Sequence, residues 1–65
     1  MTIYTTPTCD RCKVLKTKMT AKGIKFIEIQ DAEVMKQKGI NFVPILEVDD
    51  KLLEFGEANS FINSL

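Results

Sequence analysis

Sixty-five residues make one domain, and a domain of this size buries only about 60% of the surface its unfolded chain exposes, so nearly every apolar side chain must serve a single core. An apolar content of 45% excludes a disordered chain, and without a run of about eighteen or more apolar residues nothing is expected to span a membrane. Net charge is zero, but residues 1–30 carry six basic and two acidic groups while residues 31–65 carry three basic and seven acidic ones. The basic groups are spaced as on the solvated face of a helix, which argues against nucleic acid as a partner. The start "MTIYTTPTC" has neither the basic residues nor the apolar stretch of a signal peptide, so the expected compartment is the cytoplasm.

In chain order, the β-branched and aromatic segment Thr2 to Thr5 reads as a strand stopped by Pro7. From Asp10 to Lys22 the apolar residues Cys12, Leu15 and Met19 recur at i, i+3 and i+7, with Val14 beside them, predicting a helix with one buried stripe and a lysine-rich outer face. Gly23 is its expected terminator. Ile24 to Gln30 reads as a second strand, apolar on both faces as in an interior position. Asp31 is placed to cap a short helix that ends at Gly39 and buries Val34 and Met35. Val43 to Val48 and Lys51 to Phe55 read as two strands joined by Asp49-Asp50, a two-residue hairpin connection. Ala58, Phe61, Ile62 and Leu65 fall at i, i+3, i+4 and i+7 and mark a closing helix. The order is β-α-β-α-β-β-α, an α/β layer structure in residues 1–65 with a right-handed crossover between its first two strands. The four phenylalanines read as core or site wall.

The chain's two cysteines, Cys9 and Cys12, stand in "TPTCDRCK" at the junction of the first strand and the first helix. A structural staple fits poorly, since disulfide scaffolds usually carry more cysteines and belong to oxidising compartments. At a helix N-terminus, unpaired amides and aligned peptide dipoles stabilise a thiolate, lowering the thiol pKa below the free value of about 8.5. Cys9 is therefore the expected nucleophile. Cys12, one turn further and on the apolar stripe, is the expected resolving thiol, since i and i+3 side chains meet on one face. A second reading stays open. Zinc sites need four ligands, so two cysteines in a chain without histidine bind zinc or an iron–sulfur cluster only as a dimer or with outside thiols.

"IYTTPTCDRC", followed by a helix, a strand, a helix, "FVPIL" and a hairpin, resembles the glutaredoxins and related small thioredoxin-fold redox proteins over essentially the whole chain. The resemblance implies a minimal thioredoxin-like fold, with a four-stranded mixed sheet in the order 2-1-3-4 flanked by helices. It also implies a cis peptide before Pro44, with Val43 and Pro44 forming the wall opposite the cysteines and the Val43 backbone pairing with an extended thiol substrate. The activity implied is dithiol–disulfide oxidoreduction by a monomer that holds no bound cofactor beyond the redox-active disulfide Cys9–Cys12. Its substrates would be protein or small-molecule disulfides, with ribonucleotide reductase among the protein partners. Tyr4, Arg11, Lys13, Gly56 and Glu57 are the further residues expected to line the substrate side.

Two departures bear on the electron source. Family members that use glutathione often carry a lysine where this chain has Thr6, and a Gly-Gly-acid segment where it reads Phe55-Gly56-Glu57-Ala58. Holding the two carboxylates of glutathione needs matched donors, for which Arg11, Lys13 and the backbone near Gly56 and Glu57 remain. The expectation is weak glutathione specificity, with a flavin-dependent thioredoxin reductase as the other candidate reductant.

Overall fold

The computed structural model describes residues 1–65. Its elements are β1 (Thr2–Tyr4), α1 (Asp10–Ala21), β2 (Ile27–Ile29), α2 (Ala32–Gln37), β3 (Ile45–Val48), β4 (Lys51–Leu53) and α3 (Phe55–Asn63). The sheet order is β2-β1-β3-β4. β1 pairs in parallel with β2, Tyr4 opposite Ile29, and antiparallel with β3, Tyr4 opposite Ile45; β4 completes the hairpin on β3. This is the order and the mixed sheet of a minimal thioredoxin-like fold. No helix is long and apolar enough to cross a membrane.

Alternation along β1 divides the interior in two. Successive strand residues point to opposite faces, so Ile3 joins Leu46 of β3, Leu15 and Met19 of α1, and Ala58 and Ile62 of α3 in one cluster. Tyr4 joins Ile45, Met35 of α2 and Ile40 in the other. Helices α1 and α3 thus cover one face of the sheet and α2 the other. Lys18 ties the helices of the first face together, donating from Nζ to the side-chain carbonyl of Asn59.

Both of the first two helices end in the same way. The Gly23 N–H donates to Thr20 O and the Ile24 N–H to Met19 O; the Gly39 N–H donates to Lys36 O and the Ile40 N–H to Met35 O. These are paired Schellman closures, which need a left-handed residue, and Gly23 and Gly39 supply it at φ 71° and 75°. Asp31 caps α2, its carboxylate accepting from the Glu33 N–H at 2.9 Å.

Several boundaries and positions differ from the sequence reading. β2 is an edge strand, not an interior one, because β3 occupies the other side of β1. It is also shorter: Ile24 and Phe26 reach the core from the segment before it, while Ile27 is 64% exposed on its outer side. β3 starts at Ile45, after a cis Val43–Pro44 peptide. β4 stops at Leu53 because Glu54 is already the residue before α3, so Phe55 opens a helix instead of ending a strand. Leu65 lies beyond α3 and is exposed. Val14 stands off the buried stripe of α1, 43% exposed.

Candidate active site

The segment Thr5–Cys9 carries the chain from the middle of the sheet to the start of α1, and its first residue is fixed on all sides. The Thr5 N–H donates to Ile29 O at 3.0 Å, and its buried hydroxyl donates to Glu28 Oε2 at 2.7 Å. Lys16 of α1 pairs with the same carboxylate oxygen at 2.8 Å. Gln30 Nε2 donates to Thr5 Oγ1 at 3.3 Å and to Glu28 Oε2 at 3.2 Å. The Lys16 hydrogen bond, and then that of Thr5, hold the Glu28 carboxyl below its ordinary range.

Cys9 is the N-cap of α1. Its sulfur takes the place of the usual capping oxygen, accepting from the Cys12 N–H at 3.1 Å. Cys9 is half-buried, whereas Cys12, on the inner stripe of the helix, is 1% exposed. The two are joined as a disulfide with a Cα–Cα distance of 5.3 Å, within the ordinary span of such bonds. A sulfur that receives a helix-end amide and reaches solvent is built to carry negative charge and to meet a second sulfur.

Arg11, the residue before Cys12 in α1, walls a cleft of about 180 Å³ together with Phe42, Val43 and Pro44 from the loop before β3 and Glu54, Phe55 and Gly56 from the start of α3. Arg11, the residue between Asp10 and Cys12, lies over the Phe55 ring with its guanidinium carbon 5.3 Å from the ring centre, a distance at which the ring face attracts the cation. Arg11, Val43, Pro44 and Gly56, four of the residues expected on the substrate side, thus line one cleft. Pro44 is buried and Val43 half-buried. Lys13 and Glu57 are exposed and line no cleft.

Tyr4, expected on the substrate side, lies in the interior. It is 1% exposed within the second core cluster, and its hydroxyl donates to Glu47 Oε1, with Lys38 Nζ 5.8 Å from its ring centre. Alternation along β1 turns it toward α2. Conversely, Glu54 lines the cleft although nothing in the sequence reading points to it, and Phe42 and Phe55, which the sequence reads as either core or site wall, both stand in its wall. The available signal was adjacency: Phe42 directly precedes Val43-Pro44, and Glu54-Phe55 directly precede Gly56. No three His, Cys, Asp or Glu side chains converge within the chain to hold a metal ion.

Comparison with known proteins agrees with this geometry. The glutaredoxin family model matches residues 1–53. An uncharacterized glutaredoxin-like 8.6 kDa protein in a rubredoxin operon of Clostridium pasteurianum is 31% identical over 58 residues, covering 78% of this chain and 77% of the relative. No solved structure matches. A family match that spans the strand, the capped cysteine, the Val-Pro wall and the hairpin leaves one assignment: the chain belongs to the glutaredoxin family.

Proposed function

We propose that this protein is a dithiol electron donor that reduces disulfides, with Cys9 as nucleophile and Cys12 as resolving thiol. The observation that carries the reading is the asymmetry of the pair: a half-buried Cys9 sulfur receiving the Cys12 N–H at 3.1 Å, against a fully buried Cys12. In the reduced protein, the same amide and the helix dipole stabilise the Cys9 thiolate. That thiolate attacks one sulfur of the substrate disulfide, forming a mixed disulfide and expelling the first substrate thiolate, which takes up a proton. Cys12 then loses its proton and attacks Cys9 Sγ; the Cys9–Cys12 disulfide forms and the second substrate thiol leaves. Two electrons pass to the substrate, and a reductant must return them.

That reductant is glutathione or a flavin-dependent thioredoxin reductase, and the substrates are protein disulfides, with ribonucleotide reductase as one candidate, in the cytoplasm. The absence of a lysine at Thr6 argues for the reductase over glutathione. Supplying each electron source with NADPH, and its own reductase where glutathione is used, separates them; fast turnover with glutathione would reverse the preference.

Cys12→Ser is expected to leave a stable mixed disulfide on Cys9, visible by intact mass, and Cys9→Ser to abolish reduction. An active Cys9→Ser protein would overturn the assignment. Stoichiometric zinc or iron in freshly purified, reduced dimer would instead establish a metal or cluster module.

A further inference from the structure

Phe42 stands in solvent, 54% exposed, immediately before Val43 and Pro44. An aromatic ring held in water on the wall of a cleft is the kind of residue that anchors a partner. Phe42 and Val43 also wall two clefts at once. On one side is the cleft with Arg11 and Glu54. On the other is a larger one of about 280 Å³, between the loop before β3 and helix α2. Its walls include the buried Met35 and Ile40, the exposed Ala32, and Thr6 from the segment leading to Cys9. The only charged residue lining it is Lys36, which has no carboxylate within ion-pair distance.

We infer that this second cleft is a specificity pocket for the substrate of the Cys9–Cys12 centre, and that it selects a polypeptide disulfide with a large apolar residue and an adjacent acidic residue close in sequence to the attacked cysteine. The inference rests on the oxidoreductase reading above. Continuity comes first: the pocket takes Thr6 from the segment leading to Cys9 and shares Phe42 and Val43 with the cleft walled by Arg11, the residue before Cys12, so one extended segment crossing the Phe42 ridge places neighbouring side chains on its two sides. Chemistry comes second. The walls are mostly apolar, and the unpaired Lys36 ammonium suits a carboxylate at the rim. Glutathione, built of glutamate, cysteine and glycine, has no apolar side chain to fill the pocket.

The test is single-turnover oxidation of the reduced protein by synthetic peptide disulfides, followed by chromatography, with leucine moved through the positions flanking the cysteine in a serine background. At one or two positions leucine is expected to raise the second-order rate about tenfold over the all-serine peptide and over oxidised glutathione, the factor given by burying about half of a leucine side chain. An aspartate next to that leucine adds a further, salt-sensitive increase that Lys36→Gln removes. Phe42→Ser takes away the ridge, and Ala32→Trp fills the pocket from the exposed first residue of α2. In each, the leucine-to-serine ratio falls toward one, a readout that a loss of overall stability does not move. A ratio near one in the native protein at every position, or a ratio that survives both substitutions, would overturn the inference while leaving the oxidoreductase reading intact. Failure to reduce any of these disulfides would overturn both.

Discussion

The side chains that matter beyond the cysteines form two small hydrogen-bonded groups, one on each face of the sheet. Tyr4 and then Lys38 hold the Glu47 carboxyl below its ordinary 4.5, as Lys16 and then Thr5 hold that of Glu28. A carboxyl whose folded pKa is lowered contributes stability that is present above its unfolded value and lost as pH falls through the folded one. The thermal midpoint is therefore expected to decline below pH 4.5, and the double variant Glu28→Gln/Glu47→Gln to flatten that decline in a circular-dichroism pH series. Tyr4 runs the other way. Burial first, and then its bond to Glu47, raises its pKa above 10.0, so this contribution holds below pH 10.0 and is lost above it. Tyr4→Phe removes this alkaline limb. Gly56 offers a residue-scale test of substrate contact. A Cβ there meets nothing within 4 Å, and alanine exceeds glycine in helix propensity by up to about 0.8–1.0 kcal/mol. Gly56→Ala should hold or raise the thermal midpoint; if substrate backbone lies against this residue, KM for peptide disulfides rises with kcat unchanged.

At the scale of elements, the local closures are well matched to their residues except in one place. The β3–β4 connection holds Asp49 at φ 49° and Asp50 at φ 67°. Two successive left-handed residues make a type I′ turn, whose twist suits a hairpin but which favours Asn-Gly. Two adjacent aspartates bear both the backbone strain and mutual repulsion. Asp49→Asn/Asp50→Gly is expected to stabilise the protein by about 1 kcal/mol, seen as a rise of about 4–8 °C in thermal midpoint. An unchanged or lower midpoint would mean that the aspartates hold the turn as well as Asn-Gly does. The contrast with Gly23 and Gly39 is instructive, because there glycine already occupies the left-handed position and substitution with alanine should destabilise.

For the whole molecule, stability depends on a thin interior. The larger cluster draws one or two residues from each of β1, β3, α1 and α3, so no element has redundant anchors. Leu15 is completely buried at its centre, and truncating such a residue costs about 2–5 kcal/mol, comparable to the about 3–5 kcal/mol that a core of this size supplies. Leu15→Ala is therefore expected to leave the protein largely unfolded at room temperature. Val14→Ala, one residue away but exposed, should change stability by no more than about 0.5 kcal/mol. Urea titration of both variants measures the difference directly.

Features encoded within a turn or two of chain are legible in the residues alone. Helix α1 starts on Cys9 because a threonine-proline segment ends the strand and the apolar stripe begins at Cys12; α1 and α2 stop at Gly23 and Gly39; and the redox pair is legible because i and i+3 on one helix end must meet. The order 2-1-3-4 was legible through the family pattern, although the interior reading of β2 was not consistent with it. The rest depends on packing between elements distant in the chain. Residue 11, residues 42–44 and residues 54–56 meet only once the sheet has closed. That closure leaves Lys13 outside the cleft, turns Tyr4 into the core, and holds Phe42 in solvent between two clefts. Burial is a property of the packed layers, so an aromatic residue that must be either core or site wall has its side assigned by strand order and not by its neighbours in the chain.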